Sequence, residues 1–232
     1  MSDIQLGIYP LYYEHVTSQH YLKQHIYPDM RKNYYWSDDF SPEFYIAQAQ
    51  AGFIAVTDLF EGKELLLPEI QFSYAVLHFE NLHIGKKVSK LLRTKRPKLH
   101  ITTTIDSVVE KIQTYHKQCW LTPRYAKILH QTQSIQDNFQ MIAAYIEEDG
   151  DIISGEIGYI IGNTYTSLSG FSSKEKCYRN YGTAQLVLLA RYLQENGFAF
   201  WNLGQSYMPY KFALGAKQYE RGSFLKLWFD NI

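Results

Sequence analysis

The sequence predicts an α+β protein in which a mixed β-sheet is flanked by helices and preceded by a smaller N-terminal domain. Three features after residue 138 lead to this prediction: three strand-like runs joined by tight turns, an amphipathic helix, and one more strand close behind it. That last strand follows closely enough to pair in parallel with the strand before the helix. We assign residues 1–70 to the N-terminal domain and residues 71–232 to the larger one; residues 1–36 are expected to be irregular with one helix.

Capping residues predict three helices in the first half of the chain. Ser41-Pro42-Glu43 combines an N-cap serine, a proline in the first turn and an acid near the positive end of the helix dipole. Gly52 is a natural stop for that helix. Asp106 or Ser107 is expected to cap a second helix, and Thr122-Pro123 repeats the first signature for a third.

Turn residues divide the following segment into strands. Asp149-Gly150 and Gly162-Asn163 supply the positive φ angles that two-residue hairpins require, so three antiparallel strands form a meander. Apolar residues spaced by three and four then predict a helix that ends at Gly197. The predicted strands are Phe139–Glu147, Ile152–Ile161, Thr164–Phe171 and Phe198–Leu203.

The composition is typical of a soluble globular protein, with 46% apolar and 20% charged residues. No apolar run approaches the roughly 18 residues of a membrane span, and no signal peptide is apparent. Cys119 and Cys177 form no close pair, which indicates a reducing compartment. We therefore predict a cytoplasmic protein without a membrane partner. No metal site is expected, because the five-residue spacing of His15, His20 and His25 does not place them on one helical face.

The charge is distributed unevenly, although the formal net charge is zero. Seven of the 23 basic residues lie within residues 86–98, which contain no acid, and 16 basic residues face 23 acidic ones elsewhere. A basic face on an otherwise acidic protein can bind a polyanion; the alternative is an ordinary solvated helix face. This basic segment consists of Lys86, Lys87, Lys90, Arg93, Lys95, Arg96 and Lys98.

The order of the last elements resembles the GNAT fold of N-acyltransferases. A strand, the loop of residues 179–184, a helix, a second strand and the turn Leu214-Gly215-Ala216 follow one another. In that fold two neighbouring parallel strands splay apart and the acyl donor lies in the gap between them. The resemblance implies a GNAT-like domain that transfers an acyl group to an amine.

Five further landmarks follow one another between residues 36 and 228. They are Asp39-Phe40-Ser41-Pro42 with Ala51-Gly52-Phe53, Ala75-Val76-Leu77 with Leu82-His83-Ile84, Cys119-Trp120-Leu121-Thr122-Pro123, Phe171-Ser172, and Ala213-Leu214-Gly215-Ala216. In this order they resemble the leucyl/phenylalanyl-tRNA–protein transferases, which have the same fold. The resemblance implies transfer of Leu or Phe from aminoacyl-tRNA to a protein or peptide N-terminus, usually one that begins with Arg or Lys. It implies no cofactor, because aminoacyl-tRNA is itself the donor.

The resemblance also implies roles for individual residues. The basic segment from Lys86 to Arg96 is expected to bind the tRNA acceptor arm. Asn202 and Gln205 are expected to position the amine and the ester carbonyl. The residues expected to bind the transferred amino acid or the acceptor are Trp120, Phe171, Leu168, Ser169 and Glu156.

Two acids of the family are replaced in this chain. Leu168 stands at the position of a glutamate, and Asn202 at that of an aspartate, with one residue inserted before Gln205. Asparagine can orient an amine but cannot accept its proton at neutral pH. A bulge at Gly204 would restore the position of Gln205. Glu156 would supply an acid if it faces the cleft rather than solvent.

Two other functions stay open at this point. Arg179, Gly182 and Ala184 match the Arg-x-x-Gly-x-Ala loop that holds the CoA pyrophosphate in acyl-CoA-dependent N-acyltransferases. Tyr207 or Tyr210 would then be the general acid. A relative that has lost catalysis and binds only RNA or peptide would also account for the missing acids.

Overall fold

The computed structural model describes residues 8–117, 119–135 and 138–232. Its first part consists of short elements, which are β1 (Tyr9–Pro10), α1 (Tyr13–Thr17), α2 (Gln19–Tyr21), a π-helical turn (Leu22–Ile26) and β2 (Tyr35–Trp36). β1 and β2 pair in parallel. This part contains more helix than the sequence analysis predicted for residues 1–36, of which residues 1–7 lie outside the described part.

The next helix begins as predicted. In α3 (Pro42–Gln50) the Ser41 hydroxyl accepts a hydrogen bond from the backbone N–H of Phe44 at 3.2 Å. Gly52 follows with a φ of +89°, a left-handed conformation that ends helices without the steric cost of a side chain. An antiparallel hairpin that the sequence analysis missed comes next: β3 (Ile54–Phe60) and β4 (Lys63–Glu69).

A seven-stranded sheet and its helices make up the rest of the chain. In chain order the elements are β5 (Ser73–Leu77), α4 (Lys86–Lys95), β6 (Leu99–Thr102), α5 (Asp106–Tyr115), α6 (Pro123–Thr132), β7 (Gln140–Glu148), β8 (Asp151–Ile161), β9 (Thr164–Ser172), α7 (Tyr181–Glu195), β10 (Phe200–Gln205), α8 (Pro209–Ala213), β11 (Lys217–Glu220) and α9 (Arg221–Phe229). The strand order in the sheet is β11-β5-β10-β9-β8-β7-β6.

The sheet is mixed, as predicted. β7, β8 and β9 form the antiparallel meander, and β10 pairs with β9 in parallel. β5, β6 and β11 pair with their neighbours in antiparallel orientation. Because α7 connects β9 to β10, these three elements form a parallel strand–helix–strand unit.

The helix caps predicted for the middle of the chain differ in outcome. In α6 the Thr122 hydroxyl accepts a hydrogen bond from the backbone N–H of Tyr125 at 3.1 Å, which confirms that cap. In α5 the prediction of a cap at Asp106 or Ser107 is wrong. Ile105 occupies the N-cap without a capping side chain, and Asp106 is the first helical residue; the acid there still lies near the positive end of the helix.

The sheet has a hydrophobic core on each face. One core joins α3, α5, α6 and α9 to the sheet and includes residues of the N-terminal part such as Phe44 and Tyr45. The other core joins α4 and α7 to the opposite face, through Val88 and Val187 among others. No helix in the described ranges is long and apolar enough to cross a membrane.

Arg221 links the N-terminal part to the sheet. Its buried guanidinium donates hydrogen bonds to the backbone carbonyls of Asp29 at 2.8 Å, Lys32 at 2.7 Å and Ile70 at 2.8 Å. Together with the shared core, these contacts pack residues 8–70 closely against the larger part. The division of the chain at residue 70 stays a prediction.

Candidate functional site

The parallel strands β9 and β10 separate part of the way along their length. They pair from Phe200 and Thr164 to Asn202 and Thr166, where the pairing ends. Beyond this point a cavity of about 760 Å³ opens, with residues 167–172 of β9 on one side and residues 203–205 of β10 on the other. The predicted splaying of these two strands is therefore present, and the cavity lies in the gap.

A bulge in each strand accompanies the separation. Ser167 pairs with Gly158 and Ser169 with Ile157, so Leu168 is an extra residue without a partner on β8. The register between β10 and β5 shifts between Asn202 and Gln205. Gly204 lies in this shift with a φ of +74°, which confirms the bulge predicted there. Bulges re-aim side chains and release backbone groups from the ladder, and both bulges here face the cavity.

One part of the cavity is apolar and aromatic. Trp120, Phe171 and Leu168, three of the predicted substrate-binding residues, line it together. The Trp120 ring packs edge-on against Tyr125 at 5.1 Å between centroids, and the Phe171 ring lies 6.1 Å from that of Tyr115. These contacts fix the rings of the wall. The remaining apolar lining residues include Ile54, Val56 and Cys119.

Glu156 faces the cavity from β8 and is 4% exposed. Its Oε1 accepts hydrogen bonds from the hydroxyls of Tyr165 at 2.9 Å and Ser167 at 2.7 Å, and its Oε2 accepts one from the amide of Gln185 at 3.5 Å. Burial raises the pKa of Glu156 to about 7, although these hydrogen bonds and the charge of Lys211 oppose the shift. Glu156 therefore faces the cleft rather than solvent, which is the orientation it needs to supply an acid there.

The two predicted positioning residues of β10 differ in location. Gln205 lines the cavity, and its amide donates to Glu69 at 2.9 Å and to the Tyr34 hydroxyl at 3.2 Å. Asn202 is buried, and the cavity lining does not include it. Its amide oxygen accepts the backbone N–H of Gly204 at 2.9 Å, so this side chain supports the bulge. The position of Asn202 therefore fits indirect positioning rather than contact with substrate.

The sequence analysis missed several polar residues of the cavity, and three of them matter most here. Lys211 is 4% exposed and donates a hydrogen bond of 2.7 Å to the backbone carbonyl of Gln205. Burial lowers the pKa of Lys211 to about 8, and the charge of Glu156 opposes this shift. The other two are Glu69, the last residue of β4, and Gln71, two residues beyond it. The one available signal was a lysine within the otherwise apolar run of residues 210–214.

The residues of the predicted CoA loop do not gather at the cavity. Gly182 lines it in the first turn of α7, whereas Arg179 is exposed outside the lining and Ala184 is buried in the core. Gly182 also has a packing role. A Cβ there would lie 2.8 Å from the side chain of Ser172, so glycine allows α7 to approach β9.

The basic segment includes all of α4, which carries five of its basic residues, and Arg96 and Lys98 follow the helix. All seven of its charged side chains are exposed. The helix packs through Val88 onto the face of the sheet that also carries α7, whose first turn lines the cavity. His83, three residues before α4, contacts the C-terminal end of α8: its backbone N–H donates to the Leu214 carbonyl at 2.9 Å, and its ring Nδ1 lies 3.1 Å from the Ala213 carbonyl. Because α8 also carries Lys211, it connects the cavity to the segment that leads into the basic helix.

No group of three or more metal-ligating side chains occurs within the described part of the chain. Ser169, the remaining predicted substrate-binding residue, lies beside Leu168 on the β9 wall of the cavity. Tyr207 and Tyr210, the predicted general acids of the CoA alternative, both line its mouth and are exposed. The Tyr207 hydroxyl donates a hydrogen bond to the side-chain oxygen of Gln205.

The solved structures similar to the chain include the C-terminal DUF2156 domain of a protein described as a lysylphosphatidylglycerol synthetase from Agrobacterium fabrum (14% identity, 85% of this chain and 71% of that one, TM-score 0.47), FemX (8%, 81% and 70%, 0.48), and a tandem GNAT protein from the clavulanic acid biosynthesis pathway (9%, 82% and 65%, 0.42). No individual curated protein matches in sequence.

A family model gives a clearer result. The model described as leucyl/phenylalanyl-tRNA protein transferase matches residues 76–228, which is more than half of the chain. With the separated parallel strands, this match confirms the predicted GNAT-like acyltransferase fold. The chain belongs to the leucyl/phenylalanyl-tRNA protein transferase family.

Proposed function

We propose that this protein transfers an aminoacyl group, Leu or Phe in character, from aminoacyl-tRNA to the amine of a protein or peptide. The observation that supports this most is the gap between β9 and β10, which has an apolar pocket on one side and a buried acid beside it. Such a cavity can hold an acyl group and a nucleophile together, which is the main requirement of aminolysis. Family membership supports the same class of reaction.

The apolar pocket would bind the side chain of the transferred amino acid. Trp120, Phe171 and Leu168 surround it, and burial of a Leu or Phe side chain there contributes roughly 1.5–3 kcal/mol. Because these three side chains are uncharged, a charged side chain bound among them would lose hydration without gaining a partner. The geometry thus favours large apolar amino acids.

The reaction joins the acceptor nitrogen to the ester carbonyl carbon and breaks the bond between that carbon and the ribose oxygen. The departing ribose oxygen takes one proton, and the attacking amine loses one. Glu156 would accept the amine proton, because a carboxyl whose pKa is near 7 is partly ionised at neutral pH. Ser167, which donates to Glu156 at 2.7 Å, would pass the proton on if the amine binds beside it.

The developing oxyanion needs hydrogen-bond donors. The bulge at Leu168 releases backbone from the ladder with β8 at the position where the strands separate. Backbone N–H groups held rigidly at such a point would stabilise the oxyanion without reorganisation. Gln205, whose amide is fixed by Glu69 and Tyr34, would orient the amine on the opposite side.

The exposed charges of α4 would bind the acceptor arm of the tRNA. A phosphate backbone releases counterions when it binds Lys and Arg, so this contact should weaken steeply with salt. The double variant Lys87→Glu plus Lys90→Glu tests it. A matched control, Lys127→Glu plus Lys226→Glu, makes the same change in net charge at exposed lysines of α6 and α9.

The test is incubation of the full chain with leucyl- or phenylalanyl-tRNA and peptides that differ in their first residue, followed by mass spectrometry. We expect a peptide whose mass increases by one leucyl or phenylalanyl residue. The α4 variant should lose this product at moderate salt, and the control should keep it. The proposal fails if tRNA gives no product while an acyl-CoA does, with a dependence on Arg179.

A further inference from the structure

Lys211 is a buried charge that the reaction scheme above does not use. Its ammonium donates one hydrogen bond of 2.7 Å, to the backbone carbonyl of Gln205. An ammonium has three donors, so two remain for other partners. Among residues 8–117, 119–135 and 138–232, no carboxylate forms an ion pair with Lys211. The charge of Glu156 attracts Lys211 without pairing with it directly, so an anion bound next to Lys211 in the cavity would offset more of the cost of burying this charge.

The carboxylates of the cavity already have protein partners. Glu156 accepts hydrogen bonds from three side chains of the sheet and α7. Glu69 accepts one from Asn33 at 2.9 Å and one from Gln205 at 2.9 Å. Both acids are held in these networks, and neither forms an ion pair with Lys211 in the part of the chain that the structure describes, so the free donors of Lys211 can bind an anionic ligand.

The space for such a ligand lies beside Gly204. A Cβ at this position would be 4.0 Å from Lys211 Nζ and 3.8 Å from Gln71 Nε2, so glycine leaves room next to both side chains. Gln71 is 3% exposed, and its Oε1 has no hydrogen-bond partner among the described residues. A buried acceptor without a donor is itself unfavourable, and an N–H of a ligand would satisfy it. Gln71, which carries this acceptor, and Lys211 thus both border the space at Gly204.

We propose that Lys211 binds a carboxylate of the acceptor while Gln71 accepts an N–H of its amine, so that the acceptor is an amine with a carboxylate close to it. The inference rests on the proposed function and adds the class of acceptor to it. The carboxylate has two possible sources, the side chain of an N-terminal Asp or Glu and the α-carboxylate of a free amino acid. A basic N-terminal residue, the usual acceptor implied by the family resemblance, would meet a like charge here.

The experiment compares acceptors that differ only in charge. With phenylalanyl-tRNA as donor, the acceptors are C-terminally amidated peptides that begin with Glu, Gln or Lys, and free glutamine. The wild-type chain is compared with Lys211→Met and with Lys217→Met, an exposed lysine of β11 that serves as control. We expect kcat/KM for the Glu peptide to exceed that for the Gln peptide by about tenfold or more, a size typical of hydrogen bonds to charged groups. Lys211→Met should abolish this ratio, and Lys217→Met should keep it.

The free amino acid distinguishes the two sources. If glutamine is preferred over the Gln peptide, and Lys211→Met removes that preference, the α-carboxylate is the group bound. The variant Lys211→Glu should reverse the preference in favour of the Lys peptide, which a merely misfolded protein would not do. Equal use of Glu and Gln peptides by the wild type, without a preference for free glutamine, would overturn the inference.

Two further outcomes separate this inference from neighbouring hypotheses. If Lys211→Met weakens the affinity for tRNA and lowers every acceptor's rate by one common factor, Lys211 binds a tRNA phosphate and the inference is wrong. If no acceptor gives product, the proposed function fails. Calorimetric binding of the Glu peptide in preference to the Gln peptide would then still support the carboxylate site, whereas equal binding would refute it.

Discussion

The two walls of the cavity are neighbouring strands of one sheet, but they differ in their chemistry. The β9 wall (residues 167–172, with Glu156 behind it) joins apolar side chains to a buried acid whose pKa is raised by burial. The β10 wall (residues 203–205, with Lys211 behind it) joins amides to a buried cation whose pKa is lowered by burial. The difference suggests a division of tasks, with acyl binding and proton transfer on one wall and acceptor binding on the other.

The cleft between β9 and β10 also has its carboxylate in an unexpected place. In the family that this chain resembles, acids stand on both of these strands, and here Leu168 and Asn202 replace them. Leu168 has become the bulged residue of β9, and Asn202 supports the bulge of β10 through Gly204. Glu156 supplies a carboxylate from β8, one strand away. A sheet can therefore keep an acid in its cleft although the strands that form the cleft have lost theirs.

The largest expected effect comes from removing the acid of the β9 wall. Glu156→Gln keeps an oxygen for the donors Tyr165 and Ser167 but cannot accept a proton. We expect kcat to fall by about 10²–10⁴-fold, the usual contribution of a general base. In the wild type the rate should rise with pH up to about pH 7, where Glu156 ionises, and the variant should lack this rise.

Rates measured from pH 5.5 to 8.5 with a peptide acceptor check this prediction. Glu147→Gln is the matched control, since Glu147 is an exposed acid on the neighbouring strand β7. A fall in kcat smaller than about threefold in Glu156→Gln, or an unchanged pH profile, would remove Glu156 from proton transfer.

The next effect concerns stability, and the two walls should respond to pH in opposite ways. The folded pKa of Glu156 is raised to about 7 by burial, so the folded state holds a proton that the unfolded state releases near its ordinary pKa. Its contribution to the free energy of unfolding is therefore complete at low pH and is lost as pH rises to about 7. The loss is about 3 kcal/mol for a shift of this size.

Urea unfolding at pH 5 and pH 8 measures this difference. The stability of Glu156→Gln relative to the wild type should be greater at pH 8 than at pH 5.

For Lys211, whose pKa is lowered, the sign is reversed. The folded state loses the Lys211 proton near pH 8 and the unfolded state loses it at higher pH, so the free energy of unfolding rises with pH above 8, where the same urea measurement is made. An advantage of Lys211→Met that grows above pH 8 would contradict the burial of this cation.

These walls also indicate how far sequence reasoning extends. The meander and the parallel strand follow from local rules, since turn glycines and strand order leave few alternatives. The bulge at Gly204 was predicted from the one residue inserted before Gln205 relative to the family. Trp120 and Phe171 were identified through the family resemblance and do meet in the cavity. Lys211 and Gln71 were not identified, because they lie 140 residues apart and only the tertiary fold brings them to Gly204. The burial of Lys211 could not be predicted either, because a helix as short as α8 is too short to show a periodic apolar pattern.

The smallest effect on stability, and the most selective test of the β10 wall, comes from Gly204→Ala. Gly204 has a φ of +74° and Gly62, in the β3–β4 turn, has one of +78°, so alanine should cost about 1 kcal/mol at either site. A Cβ at Gly62 has no atom within 4 Å, whereas one at Gly204 would approach Ile54 at 3.4 Å and occupy the space beside Lys211. Thermal unfolding should therefore show similar losses, while only Gly204→Ala should raise the KM for the acceptor. If both variants keep the wild-type KM, the acceptor does not bind at the β10 wall.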